Sequence, residues 1–420
     1  MSANRNAFRP YRPRLIASLN GAGRLLEAAG LRASLDADSL IAAARRKTGL
    51  QDFGDESFRS GLEMLTRSLD REAHLHPVGR LIMRQRLTGL LAVRLKAQAL
   101  FARHPEIRQQ PVEAPLVIAG LQRTGTTMLH RLLAADPRMR AMRSYEAMNP
   151  ISEPHPAGSI DPRLKATRLA EKALKYMAPE FFAIHPVDAD APEEEILLMD
   201  YAFLSDVAES LADVPGYAAW LEQQDVTPAY EYMKSLLQLM QWQQPQRLLQ
   251  RWVLKTPAHL GHLDVLLKVF PDARIIQTHR DPARTAASYS SMIAHGHGVF
   301  SDQVDAHAVA AHWHRKNVGM VEAAMRVRAR HPEAFIDVSY YDVIKDPMAQ
   351  VRRIYDFAGI ELTPSALAAM EATRANNPQN KHGVHSYSLG DFGLTLEQIR
   401  RDYGPYSKFF GIPEEGRKAA

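Results

Sequence analysis

The sequence predicts an α/β fold: a P-loop-like parallel sheet flanked by helices, with an N-terminal all-helical region and a helical insertion. Three observations predict it. The stretch Val117-Ile-Ala-Gly-Leu-Gln-Arg-Thr-Gly-Thr-Thr-Met-Leu-His-Arg-Leu-Leu133 reads as a buried strand, a glycine turn and a helix start. Three further short apolar runs, over 251–256, 273–279 and 334–340, are each flanked by helical sequence, and strands alternating with helices imply a mainly parallel sheet covered on both faces. From Leu15 to Ala102, by contrast, apolar residues recur at helical spacing, as in Leu62, Leu65, Leu69 and Met83, Leu87, Leu91, Leu95.

The helical region is assigned to residues 1–112. It ends in the proline-rich, polar stretch His104-Pro-Glu-Ile-Arg-Gln-Gln-Pro-Val-Glu-Ala-Pro115, after which the α/β domain runs over 113–420. Within it, residues 150–250 form a mostly helical insertion, with helices expected near 161–177 and 192–205. The acids Glu193-Glu-Glu195 follow Asp190-Ala-Pro192 and are read as first-turn residues facing the positive end of the second of these helices. The glycines around 295–298 are read as a loop near an acceptor pocket.

Charge is unevenly placed. Residues 1–112 hold 19 Lys and Arg against 10 Asp and Glu, and the remainder 33 against 37, so the net charge of +5 arises wholly from the N-terminal region. Five arginines and no acid lie between Arg5 and Arg24. Peripheral contact of this basic N-terminus with an anionic membrane and a solvated helix face are the two readings. The helical region also offers a surface for a homodimer. Nucleic acid is not an expected partner, because the basic residues are not interleaved with stacking aromatics. The chain has no cysteine, which removes thiolate catalysis, disulfides and cysteine-ligated metals and agrees with a reducing compartment. No apolar run approaches the roughly 18 residues that span a bilayer, so a soluble, cytoplasmic protein is expected.

The glycine turn raises the question of which phosphate it holds. Gly120 and Gly125 keep the spacing of a nucleotide P-loop, but Thr126 stands where the lysine belongs, and the only cation in the turn is Arg123. Backbone amides at a helix start bind anions, and Thr124, Thr126 and Thr127 add hydroxyls. Such a turn suits a single phosphate. A triphosphate mechanism loses the lysine, and no apolar strand ends in an aspartate for Mg²⁺. Ligands of parallel sheets bind beyond the C-terminal strand ends, where Arg123, Lys255 and Arg280 all fall. Asp281 and Pro282 suit a helix cap and first turn, which leaves Arg280 at the strand end and Ser288 two turns into the helix, able to share a second phosphate.

Taken together, these segments carry a resemblance. Arg123-Thr-Gly-Thr-Thr127 after a strand, Leu254-Lys-Thr-Pro257, and Phe270-Pro-Asp-Ala-Arg-Ile-Ile-Gln-Thr-His-Arg-Asp-Pro282 with Ser288 eight positions beyond Arg280 resemble the sulfotransferases that use 3′-phosphoadenosine-5′-phosphosulfate, PAPS. The resemblance implies that the first loop, with Arg123, Thr124, Gly125, Thr126 and Thr127, holds the 5′-phosphosulfate, and that Arg280 and Ser288 hold the 3′-phosphate. It further places Tyr340, in Ser339-Tyr-Tyr-Asp-Val-Ile-Lys-Asp-Pro347, against the adenine, and Lys381 and Gly383, in Asn380-Lys-His-Gly-Val-His385, in a loop over the 3′-phosphate. The segment Thr48-Gly-Leu-Gln-Asp-Phe-Gly-Asp55 is similar to a feature of the larger bacterial members, which have an N-terminal helical extension.

In-line sulfuryl transfer needs both partners positioned and charge on the leaving phosphate stabilised. Arg123 and Lys255 are the cations for that work, PAP is the nucleotide product, and no metal is required. The cytosolic eukaryotic branch has a lysine where Arg123 stands and a histidine two residues beyond the second-motif lysine. Here Pro257 takes that place and His259 is displaced. Other branches use a glutamate downstream of the loop, so Glu146 in Ser144-Tyr-Glu146 is the expected general base, with His259 the second candidate. The acceptor is expected to be the hydroxyl, or less readily an amine, of a small molecule, phenol or lipid alcohol. Tyr176, Met177, Phe181, Phe182, Tyr201 and Phe203 are candidates to line its pocket or to fill the core.

The alternatives are a P-loop kinase or NTPase that needs ATP and Mg²⁺, and a non-catalytic nucleotide-binding scaffold. His279-Arg-Asp281 and Asp391-Phe-Gly393 imitate two kinase motifs, but Ala286 replaces the required asparagine. The pairs His295/His297 and His312/His314 are read as helix-face or loop polarity rather than metal ligands.

Overall fold

The computed structural model describes residues 8, 10–156, 158–185, 187–376 and 388–415. Four helices lead: α1 (Arg14–Ala28), α2 (Ala37–Thr48), α3 (Phe58–Arg71) and α4 (Pro77–Arg103). Their limits follow local chemistry. The Asp36 side chain caps α2 by accepting from the Ser39 amide, and Gly49 ends it in the left-handed conformation. Pro77 opens α4 while His76 accepts from the Gly79 amide.

The sheet begins with β1 (Leu116–Gly120), followed by α5 (Thr126–Leu133), β2 (Met139–Arg140) and α6 (Ser144–Met148). The insertion supplies α7 (Pro162–Met177), α8 (Pro179–Ile184), α9 (Ile196–Met199), α10 (Val207–Leu211), α11 (Pro215–Leu221) and α12 (Thr227–Trp242). The chain then returns through β3 (Arg251–Lys255), α13 (Leu263–Val269), β4 (Arg274–His279), α14 (Pro282–Phe300), α15 (Ala306–Arg330) and β5 (Phe335–Ser339). It closes with α16 (Tyr340–Lys345), α17 (Pro347–Phe357), α18 (Pro364–Asn376), α19 (Leu396–Asp402) and α20 (Gly404–Phe409).

Among the described residues five strands form one parallel sheet, ordered β2-β3-β1-β4-β5. Every residue of β1 is buried, as expected of a central strand covered on both faces. The period of two divides the core. Leu116, Ile118, Val253 and Ile276 pack with Leu129, Leu133 and Ile354 on one face. Val117, Ala119, Leu254 and Ile275 belong to a larger cluster that continues through the insertion into Leu62, Leu87 and Leu91 of the N-terminal helices. Arg94 strengthens this junction: buried, it donates to the carbonyls of Phe53, Asp55 and Tyr201. Among the described residues no helix is long and apolar enough to cross a membrane.

One strand escaped the sequence reading and two expectations need correction. Strand β2 was not anticipated, because two residues are too short for a period to register. The helix expected over 192–205 is only α9 and a 3-10 turn, Asp200–Ala202, and Phe203 at φ 55° ends it. Residues 295–298 are not a loop but lie inside α14. There the glycines serve close packing: a Cβ on Gly296 would stand 2.9 Å from the Ser210 carbonyl, and one on Gly298 3.1 Å from the Phe8 ring.

Gly61 on α3 shows how tightly the helical region is docked, since a Cβ there would stand 2.3 Å from the carbonyl oxygen of Phe203 in the insertion. Gly61→Ala is expected to cost about 1–3 kcal/mol by overpacking. Gly89→Ala on α4, where a Cβ meets nothing within 4 Å, is expected to gain up to about 1 kcal/mol. Urea unfolding of both variants checks the contrast.

Candidate active site

Strand order brings the predicted residues together. Because β1 lies between β3 and β4, the chain segments leaving these three strands converge at one edge: the glycine turn, Lys255-Thr256 and Arg280. The turn is a strained backbone. Arg123 has φ 68° and Gly125 φ 87°, and no side chain caps α5, so the first amides of that helix are available to an anion. Arg123 and Thr127 are exposed, whereas Thr124 and Thr126 are buried. The Thr124 hydroxyl donates to the Leu121 carbonyl at 2.6 Å and pairs with Thr278 at 2.7 Å. It therefore shapes the turn, and the sequence-based expectation that it supplies a free donor does not hold.

Lys255 ends β3 with its side chain nearly buried and ion-paired with Glu194. Glu194 also accepts from the Thr256 hydroxyl at 3.1 Å. Burial pushes the Glu194 carboxyl up, but Lys255, His185 and the Thr256 hydrogen bond draw it down further, so the net displacement is below the usual carboxylate range. Its neighbour Glu195 is fully buried and accepts from the Lys255 amide at 2.8 Å. The same carboxylate is 2.6 Å from His259 Nε2, and the Tyr230 hydroxyl is 2.8 Å from His259 Nδ1. The three acids 193–195 are therefore not helix first-turn residues. Glu195 and Glu194 reach from the insertion onto the end of β3.

In that arrangement both expected bases are buried and hydrogen-bonded within the protein. His259 is completely buried, with Nε2 against Glu195 and Nδ1 against Tyr230. Glu146 is also fully buried. One of its oxygens accepts from the Arg143 amide in a capping box on α6 and the other from the Gln244 side chain, and its charge acts on Arg140. Sequence reasoning missed Glu194, Glu195 and His185. The run of three acids was visible, but only tertiary folding aims two of them at Lys255. His185, following α8, feels Glu193, Glu194, Lys255 and Arg123, and burial leads in holding its pKa down.

Arg280 follows β4 and lies over the Tyr340 ring, its guanidinium carbon 3.9 Å from the centroid. It also donates to the Arg123 carbonyl at 3.2 Å, tying the second cationic position to the glycine turn. Tyr340 borders that turn as well: a Cβ on Gly125 would stand 3.2 Å from its ring. Ser288 is buried on α14. Lys381 and Gly383 lie outside the described residues. Of the apolar candidates, Tyr201 and Phe203 are core, and the Tyr201 hydroxyl is committed to the carbonyls of Ala147 and Met148. Phe181 is half-buried against His185, with ring centroids 5.9 Å apart.

Residues 115–364 match the sulfotransferase family. The chain belongs to that family. Its sheet, turn and strand-end cations are thus those of an enzyme that transfers sulfonate groups. A sulfotransferase from Mycobacterium avium, STF9, superposes with a TM-score of 0.82 at 31% identity, over 91% of this chain and 98% of that one. STF1 from Mycobacterium tuberculosis H37Rv gives 0.75 at 32% identity, over 88% and 98%. A further relative, omega-hydroxy-beta-dihydromenaquinone-9 sulfotransferase Stf3 of Mycobacterium tuberculosis, is 26% identical over 300 residues, 68% of this chain and 71% of its own. The likeness to each solved relative thus extends over most of this sulfotransferase.

His130 on α5 backs this sulfotransferase's turn, donating from Nε2 to the Val253 carbonyl at 3.2 Å. Burial, followed by Lys255, holds its pKa down to about 3. The folded ring is therefore neutral, and its contribution to stability is complete above pH 6.5 and lost as pH falls toward about 3. In His130→Gln, the fall of unfolding free energy between pH 6.5 and about 4 is expected to be shallower by up to one proton. Urea melts across that range measure the slope.

Proposed function

We propose that this sulfotransferase moves a sulfonate from PAPS to the hydroxyl of a lipid or other small-molecule alcohol, with Glu194 receiving the acceptor proton. The observation that carries the reading is the Lys255–Glu194 pair at the end of β3, beside a turn built for one phosphate. The residues fit the two anionic ends of such a nucleotide. The uncapped amides of α5, Thr127, Arg123 and Lys255 suit the 5′-phosphosulfate; Arg280 and Ser288 suit the 3′-phosphate. The ring of Tyr340 borders both Gly125 and Arg280, which supports its assignment to the adenine.

In this reading Arg123 and the loop amides neutralise charge that grows on the leaving 5′-phosphate as its bridging oxygen separates from sulfur. Lys255 exchanges Glu194 for that oxygen. Glu194, thereby released, takes the proton of the attacking hydroxyl as the new sulfur–oxygen bond forms. His185, which feels the charge of Glu194, and Phe181 beside it are candidates to orient the acceptor. Glu195 and His259 hold Lys255 in place. Glu194→Gln is expected to lower kcat by roughly 10²–10⁴-fold while retaining PAP binding, and Glu146→Gln to act mainly on stability. PAP is expected to raise the melting temperature without Mg²⁺. Stabilisation by ATP–Mg²⁺ alone would instead favour the kinase reading.

A relative named for a hydroxylated menaquinone supports a lipid alcohol as acceptor, and α1 offers a way to reach one. We read this helix as a contact with an anionic bilayer. It packs through Ile16 and Asn20, leaving Leu15 57%, Leu19 48%, Leu25 75% and Leu26 52% exposed, with Arg14 and Arg24 also outward. Leu15, Leu19 and Leu26 share one side of the helix, an area on the order of 300 Å² that falls short of the roughly 800 Å² each partner gives to a stable dimer. The N-terminal segment then runs to the site. Phe8 meets His295 edge-on at 4.6 Å and, with Pro10 and Tyr11, adjoins Phe181. Wild type is expected to float with phosphatidylglycerol-containing vesicles and not with pure phosphatidylcholine, and Leu15→Glu/Leu19→Glu to weaken this about tenfold or more. Absence of flotation, or loss of a solution dimer in the double variant, would assign the stripe to solvent or to a second copy.

A further inference from the structure

Glu415, near the C-terminus, is remote in sequence from every motif of the nucleotide site, yet its carboxylate is among the most fully engaged there. One oxygen accepts from Arg280 Nε at 2.8 Å and from the Tyr341 hydroxyl at 3.1 Å. The other accepts from Arg280 at 3.3 Å and from Arg284 Nε at 3.2 Å. The Glu415 amide donates to Asp281, the N-cap of α14, at 2.7 Å. Two guanidinium groups and a phenol around one anion are the surroundings a phosphate monoester requires. Burial raises the carboxyl, but Arg280, Tyr341 and Arg284 outweigh it, so the group is ionised.

We infer that Glu415 occupies the seat of the nucleotide's second phosphate in the free enzyme, and that Arg280, Arg284 and Tyr341 pass from its carboxylate to that phosphate on binding. The inference rests on the reading of Arg280 as the 3′-phosphate residue. A dianionic phosphate and a carboxylate cannot share one pair of arginines without strong repulsion, so one must leave.

The surroundings allow that movement. The segment carrying Glu415 borders a cavity of about 280 Å³, lined by Asp281, Pro282, Tyr403, Lys408, Ile412 and Glu414, and is held to the core through Ile412. Glu414 is ion-paired with Arg400 on α19, which tethers the segment while Glu415 swings away. A ligand that needs Arg280 must displace Glu415, whereas a ligand without a second phosphate need not. The carboxylate thus lowers affinity selectively for bisphosphate nucleotides, including the product PAP, and favours its release.

The test compares PAP with AMP, which lacks the 3′-phosphate, by calorimetry on full-length wild type, Glu415→Gln, Glu415→Ala and Arg280→Ala. Both Glu415 variants are expected to bind PAP about five- to thirtyfold more tightly while AMP affinity stays unchanged. Hydrogen exchange at the 412–415 segment of wild type is expected to rise with PAP and not with AMP. Unchanged or weaker PAP binding in both Glu415 variants, with Arg280→Ala still losing its preference for PAP over AMP, overturns the inference alone. If Arg280→Ala keeps that preference, the 3′-phosphate assignment falls as well.

Discussion

The buried carboxylate of Glu195 is the contact on which the candidate site turns. It binds the Lys255 amide at the last residue of β3 and the ring of His259 one turn further on, and through His259 it reaches Tyr230 on α12. An anion buried this deeply persists only where its hydrogen-bonding capacity is met, and here a strand end and a histidine meet it. The consequence is geometric. The insertion is anchored to the sheet at the strand end where Lys255 must project, and the adjacent Glu194 is carried onto the lysine side chain.

The charges form a second pattern. The two cations that stand at the ends of β3 and β4 are both neutralised by the protein's own carboxylates, Lys255 by Glu194 and Arg280 by Glu415. Guanidinium and ammonium groups clustered at one edge repel one another, and internal counter-charges relieve that repulsion until a polyanion arrives. The two carboxylates differ in their fate. In the proposed reaction Glu194 stays beside the reacting atoms once released, where a proton acceptor is needed. Glu415 lies at the far cation and has no chemistry there.

Much of the fold was legible because its signals are local. The β1 run, the glycine turn and the Asp281-Pro282 cap each declare themselves within a few residues, and β3, β4 and β5 begin and end within one residue of the expected runs. The helix expected from Asp161 starts where that aspartate caps it. The features that escaped were set by partners distant in the chain. Glu146 looked like a base because it follows the turn at a suitable distance, yet Arg143 and Gln244 consume its oxygens. The glycines of 295–298 looked like a loop, yet they let α10 and the N-terminal segment approach a helix.

The sequence by itself determined the α/β class, the single-phosphate turn with its displaced cation, and the strand-end positions of Lys255 and Arg280, since strand, turn and cap chemistry depend on neighbours in the chain. Only the tertiary structure decided which acids meet those cations. Glu194 is 61 residues from Lys255 and Glu415 is 135 from Arg280. No periodicity encodes such pairings; they arise when parallel strand order collects three chain ends at one edge and leaves buried charges to find their partners there.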